Sequence, residues 1–246
     1  MLLFLGAVSA AGTSFRVRDV GEDIFDRGAE VVKWGDERLK AAAEGTPLPG
    51  QPELYADITS IKIGFIITFV QDVLMIAVAA MLIGRTRFRG FIDAFRMGSY
   101  SFDDLWRPAL AAAVLYPAVV GYGVLMKRLG LDLLVPESTV PLVVTRDGVA
   151  LAMTGVLASI AAPLAEEVLF RGVIFGGLMR WGFWPAAAIS SFLFAGAHID
   201  LGSLIPFFII GMVLAALYWW RGVLWDNIAF HVLFNTTSFL LLVATR

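Results

Sequence analysis

Six residues in this sequence have the types and spacing of reacting groups. Glu166, Glu167 and Arg171 stand within six positions of one another, inside an otherwise apolar run. The only two histidines, His198 and His231, follow in later apolar segments, and Asn235 comes four residues after His231. An ionisable side chain in hydrocarbon is costly unless it faces a cavity or a partner, so such a cluster is read first as a functional site. Glu166 and Glu167 are adjacent and point about 100° apart around a helix, so they take different roles. Glu167 and Arg171 are spaced i, i+4 with the acid first, the favourable order for an ion pair. That leaves Glu166 freer to face a reaction. A desolvated carboxylate is a stronger base than one in water, and histidine can share or shuttle its proton. A second histidine and an amide can donate hydrogen bonds to a developing oxyanion. Together these groups suit hydrolysis of an amide bond by activated water.

Other chemistries are constrained by what the sequence lacks. There is no cysteine, which excludes disulfides, thiolate metal sites and a cysteine nucleophile. There is no HExxH, GxGD or GxSxG motif for the zinc, aspartyl or serine routes, and no Walker loop or GxGxxG for a nucleotide. The net charge is −2, with no basic stripe for nucleic acid. Carboxylate and imidazole can also bind a divalent ion, so a metalloenzyme or transporter is the competing class. Metal content and chelator sensitivity separate it from metal-free hydrolysis.

The positioning elements are apolar helices. Of 246 residues, 59% are apolar and 16% charged, and the mean hydropathy is +0.78. This composition describes an all-α polytopic membrane protein rather than a soluble domain. Residues 1–12 are apolar but shorter than the roughly 20 residues of a span. They read as a short interfacial anchor, or as a signal-peptide core without its basic flank. Residues 13–57 are polar, with a helix over Glu22 to Glu44 carrying Ile24, Val31, Val32 and Leu39 loosely on one side. Gly28 and Gly35 weaken that helix, and a proline-rich linker over residues 46–52 follows.

Six apolar segments are expected to cross: about Ile58 to Ile83, Pro108 to Met126, Gly148 to Met179, Phe183 to Ala197, Leu201 to Trp220 and Leu224 to Val243. In the first, Asp72 lines a cavity, makes a helix–helix hydrogen bond or is a lone polar contact. Arg85, Arg87, Arg89, Arg96 and Arg107 mark the next loop as cytoplasmic. Pro117 and Gly121 suggest a bend in the second span. The third would be about 48 Å long as an α-helix, against a hydrocarbon core of about 30 Å. The expected break is at Pro163, three residues before Glu166. Gly172 and Gly176 offer a surface for close helix approach. Trp181, Trp184, Trp219, Trp220 and Trp225 cluster at two short turns and read as an interfacial belt.

Residue counting asks whether the polar groups meet. Glu166 and His198 each lie 16 residues from the turn near Gly182, so on antiparallel helices both are about 24 Å from it. His231 and Asn235 lie about 14 and 20 Å beyond the turn near Gly222, one helical turn apart on one face. The four groups can converge, with Asn235 nearer the level of Glu166 and His198.

Taken in order, Glu166-Glu167-x-x-x-Arg171, Phe194-x-x-x-His198 and His231-x-x-x-Asn235 resemble the three motifs of the CAAX protease and bacteriocin-processing family. Its members are type II CAAX-prenyl-protease-like glutamic intramembrane proteases. The resemblance covers about residues 148–244, and residues 148–246 are then the catalytic core. Residues 58–147 supply two further spans, and residues 1–57 an apolar stub with an extramembrane segment. The resemblance implies that Glu166 and His198 activate water. His231 and Asn235 would stabilise the oxyanion, and Glu167 and Arg171 would orient the site. It implies no metal or other cofactor. The expected partners are membrane lipid and a membrane-associated peptide or protein substrate, in a prokaryotic cell membrane. A non-catalytic scaffold or bacteriocin-immunity protein of the same fold is the alternative within the family.

Overall fold

The structure, a computed structural model, describes residues 22–50, 58–84, 88–95, 97, 101–137, 140, 142–198 and 200–245. Among them there is no strand, and the chain is an all-α helical bundle. The reading of residues 1–12, and three of the loop's five arginines, Arg85, Arg87 and Arg96, lie outside the described residues.

Helix α1 runs Glu22–Glu44, unbroken by its glycines. Over the described side chains of its second half, Arg38 and Ala41 are buried, whereas Leu39, expected on the apolar side, is 54% exposed. Helix α2 (Ile58–Leu82) and the short α3 (Phe88–Ala94) follow. A 3₁₀ turn leads into α4 (Trp106–Arg128), which is continuous through Pro117. A helical rod, α5, occupies Gly148–Trp181. Then come α6 (Phe183–Gly196), α7 (Leu201–Arg221) and α8 (Leu224–Ala244). Among the described residues, five helices are long and apolar enough to cross a membrane; α6, at 14 residues, is apolar but short. The protein is an integral membrane protein, with six apolar helices among the described residues.

Local chemistry sets the helix ends. The Asp147 carboxylate accepts the Ala150 N–H at 2.8 Å and caps α5. Asp200 accepts the Gly202 and Ser203 N–H groups, each at 3.1 Å, and caps α7. Gly222 ends α7 in the left-handed conformation, φ 65°, and Gly182 joins α5 to α6 at φ 92°. These positive φ angles let the chain reverse within one or two residues, making α5/α6 and α7/α8 antiparallel neighbours.

The bundle has two distinct ends. At one, the Leu224 N–H donates to the Phe95 carbonyl at 3.3 Å, and Trp225 Nε1 donates to the Met97 carbonyl at 2.7 Å. Arg221 there pairs with Asp104 at 3.0 Å and with Asp226 at 3.1 Å. Trp181, Trp184, Trp219 and Trp220 are exposed at this end, as an interfacial belt requires, while Trp225 serves to tie the loop. At the other end Arg38 of α1 pairs with Glu137 at 2.8 Å, and Lys62 of α2 pairs with Asp147 at 2.8 Å.

The long α5 differs from expectation. It does not break at Pro163 but widens into π-helix twice, over Leu157–Ala161 and Val168–Phe175. In the first π segment the Ala162 N–H reaches back five residues to the Leu157 carbonyl. In that register the next nitrogen is that of Pro163, which has no hydrogen, and its partner would be the Ala158 carbonyl. Asn235 Nδ2 of α8 donates to that carbonyl instead, at 2.8 Å. In the second π segment Ser190 Oγ of α6 donates to the Phe170 carbonyl at 2.7 Å. Each widened turn is therefore satisfied by a side chain from a neighbouring helix, which is how irregular backbone survives inside an apolar bundle.

The Gly172/Gly176 pair is not a helix crossing. A Cβ on Gly172 would clash with the Phe95 ring, and one on Gly176 would meet only the Arg171 carbonyl, at 3.6 Å. The close crossing is between α6 and α7, where a Cβ on Gly211 would lie 2.7 Å from the Ser191 Cβ.

Candidate active site

Glu167 and Arg171 lie on α5, at the end of its α-helical Ala162–Glu167 portion and inside the π segment that follows. Both are completely enclosed, and Arg171 Nη1 donates to Glu167 Oε1 at 3.0 Å. Arg171 also places its guanidinium carbon 4.3 Å from the ring centre of Phe194. Its Nη2 reaches the Gly211 carbonyl at 3.5 Å, so the bare backbone at the α6/α7 crossing is part of its surroundings.

His231 of α8 joins the two glutamates. Its Nδ1 lies 2.9 Å from Glu167 Oε1. An ionised carboxylate only accepts, so Nδ1 carries the hydrogen and donates. Its Nε2 stands 3.7 Å from Glu166 Oε2, beyond direct hydrogen-bond reach. That Glu166 oxygen has no hydrogen-bond partner among the described residues. Glu166 is thus buried, 3% exposed, with one oxygen uncommitted beside an imidazole nitrogen.

His198, just beyond the end of α6, directs Nδ1 at the Phe194 carbonyl, 2.8 Å away. The carbonyl only accepts, so Nδ1 donates and the neutral ring keeps Nε2 as its acceptor. The rings of Phe194 and Phe207 pack edge-on against it at 4.9 and 4.5 Å. Phe194 also meets the His231 ring edge-on at 5.7 Å, so one phenyl ring sits against both histidines.

A cavity of about 490 Å³ lies among α4, α7 and the C-terminal half of α8, towards the end that carries α1. His198 and Asn235 are on its wall with Tyr116, Phe207, Phe234 and Phe239. Glu166, Glu167, Arg171 and His231 are buried outside that wall. His198 belongs to both parts, since it lines the cavity and lies within electrostatic reach of Glu166 and His231.

The residue counting placed Asn235 nearest the glutamate level, and the structure differs. His231 meets the glutamates, while Asn235 meets Ala158, eight residues before Glu166. Counting assumed straight α-helices, and the two π segments change the register of α5.

Two polar groups near the site were not identified as such from the sequence. Asn227 donates from Nδ2 to Glu167 Oε2 at 3.4 Å and to the Leu214 carbonyl at 2.7 Å. Its signal was its spacing, since Asn227, His231 and Asn235 form one i, i+4 line along α8. Asp72 makes none of the helix–helix hydrogen bonds weighed for it. It is 2% exposed, and neither carboxylate oxygen has a hydrogen-bond partner among the described residues. Among those residues no group of three His, Cys, Asp or Glu is arranged to hold a metal ion.

The comparisons with known proteins fall on this same segment. Residues 148–237 match the family described as type II CAAX prenyl endopeptidase Rce1-like. Over this segment the chain is similar to that family. The YdiL protein of Bacillus subtilis, whose name proposes a membrane peptidase, is 37% identical over 82 residues. MroQ of Staphylococcus aureus, named as a membrane-embedded CAAX protease, is 37% identical over 84 residues. YaiF of Lactococcus lactis is 34% identical over 86 residues. The matched stretch spans 33%, 31% and 34% of this chain and 34%, 34% and 38% of those proteins, respectively, so the likeness is one of the core. No solved structure matches the chain. The matched segment begins at the first residue of α5 and ends within α8, enclosing all six candidate residues.

Proposed function

We propose that this chain is a glutamic-type intramembrane endopeptidase. It hydrolyses a peptide bond near the terminus of a membrane-associated or prenylated protein or peptide. The observation that carries the reading is the buried chain Arg171–Glu167–His231–Glu166, ending in an uncommitted glutamate oxygen. A carboxylate kept unpaired inside an apolar bundle is costly, and a role in stability does not account for it.

In this reading Glu166 takes a proton from water as the water oxygen bonds to the scissile carbonyl carbon. The carbonyl oxygen becomes an oxyanion. His231, held through Nδ1–H by Glu167, presents Nε2 towards the reaction, and its protonated form donates there. Asn235 has two amide hydrogens; the one bonded to Ala158 fixes the group, and the other is available to the oxyanion. The proton on Glu166 passes to the leaving nitrogen, with His198 Nε2 as the relay between site and cavity, and the C–N bond breaks. Glu167 and Arg171 touch no reacting atom and act by orienting His231. The apolar cavity wall suits a lipid-like or apolar peptide tail.

The test is cleavage of a peptide panel, including a farnesylated CaaX peptide, by the purified protein in detergent. Wild type should cleave at least one peptide with and without chelator. Glu166→Ala and His198→Ala should each lose about 10²-fold or more, the usual contribution of a general base. Cleavage abolished by chelator and restored by a divalent ion would favour the metalloenzyme class instead.

A further inference from the structure

Asp72 is a buried titratable group that this mechanism does not use. It lies on α2, which packs along the Ala162–Glu167 part of α5. The two helices run parallel. Ile61 shares a cluster with Ala150 at one end of their contact, and Ala79 shares one with Val168 at the other. The same offset sets Asp72 level with Ala161, about a turn and a half before Glu166. Side chains on a helix lean towards its N-terminus, so Glu166 leans back towards that level.

The charged neighbours are few. Glu166 is the ionisable group whose charge reaches Asp72. Glu167 and Arg171, also on α5, are committed to each other. His231 of α8 stands beside Glu166, and His198, after α6, lies within electrostatic reach of it. Lys62, ten residues earlier on α2, is held by Asp147. Among the described residues, neither this lysine nor this arginine is left to balance a second negative charge. Two carboxylates this enclosed cannot both ionise cheaply, and the one with no hydrogen bond at all is the poorer place for the charge.

We propose that Asp72 and Glu166 share one proton across the α2/α5 contact, with Asp72 as the protonated member. Asp72 is then a positioning residue. It keeps the pair singly ionised, so that Glu166 is the carboxylate that accepts the proton of water. The catalytic consequence rests on the reading of Glu166 given above; the shared proton does not. Losing the second proton at alkaline pH places two charges in the site and ends the working state.

The experiment is infrared difference spectroscopy of the full-length protein in detergent, titrated over pH. Wild type should show a protonated-carboxyl band at neutral pH that is missing in Asp72→Asn, a substitution that keeps the shape. In Glu166→Gln, which leaves Asp72 in place, the band should persist but titrate at least half a pH unit lower, because the like charge is gone. Selective isotope labelling of aspartate assigns the band if Asp72→Asn does not fold. A spectrum with no aspartate band at neutral pH overturns the proposal, as does a midpoint unmoved by Glu166→Gln. In the cleavage assay the alkaline limb of kcat/KM should move up by about one pH unit in Asp72→Asn. A superimposable limb contradicts the pair while leaving the Glu166 reading intact. A Glu166→Gln variant that still cleaves contradicts the Glu166 reading and leaves the infrared result to decide the pair.

Discussion

The ion pair of Glu167 and Arg171 has 0% side-chain exposure on both partners, so it cannot be weighed as a surface salt bridge. Removing one partner strands the other in an apolar interior, a loss of about 3–5 kcal/mol. Arg171→Met should therefore lower the thermal unfolding temperature strongly in detergent. Replacing both residues with apolar ones of similar volume should recover much of that loss. Equal losses in the single and double variants would show that the pair is not coupled. At this scale much was legible in the sequence, because i, i+4 spacing on a helix specifies a neighbour. The same rule aligned His231 with Asn235. What it did not specify was which of them faces the glutamates, since that depends on the register between helices. Which of the readings of Asp72 holds was also beyond reach, because that is a property of what surrounds α2.

Among the elements, α5 is the one whose behaviour the sequence least revealed. Pro163 was visible as a perturbation, and a break was the expected outcome. The helix instead absorbs the proline with a π turn and a borrowed donor, Asn235, because a neighbouring helix supplies the missing hydrogen bond. Hydrophobic periodicity carries no signal for a five-residue hydrogen-bond step, so neither π segment could be read. The account predicts a specific coupling. Asn235→Ala leaves the Ala158 carbonyl buried without a donor and should cost about 1–3 kcal/mol. In a Pro163→Ala background the backbone regains an N–H, and the same substitution should cost much less. A double-mutant cycle of unfolding measures this, and additive losses would contradict the exchange of donors.

Across the whole molecule, the spans were legible because uninterrupted apolar length is written directly in the sequence. Five of the six expected segments are long enough to cross, and the remaining one, α6, is 14 residues. The tie between the ends of α2 and α5 was not legible, because Lys62 and Asp147 are 85 residues apart. The Lys62 ammonium bonded to Asp147 holds that carboxyl below its usual range, with the Ala150 N–H adding to the effect. A depressed carboxylate contributes stability above its unfolded pKa of about 4 and loses it as pH falls through the lower, folded value. Wild type should therefore lose thermal stability on acidification below about pH 4, and Lys62→Met should flatten that slope. Identical slopes would mean the contact adds nothing to holding the two helices together.

The most direct test of the central claim is the cleavage rate of purified wild type against Glu166→Gln on a membrane-associated peptide, with chelator present. The account predicts turnover by wild type and a loss of about 10²-fold or more in the variant, with unfolding temperature preserved. A variant that cleaves at the wild-type rate would contradict Glu166 as the group that activates water.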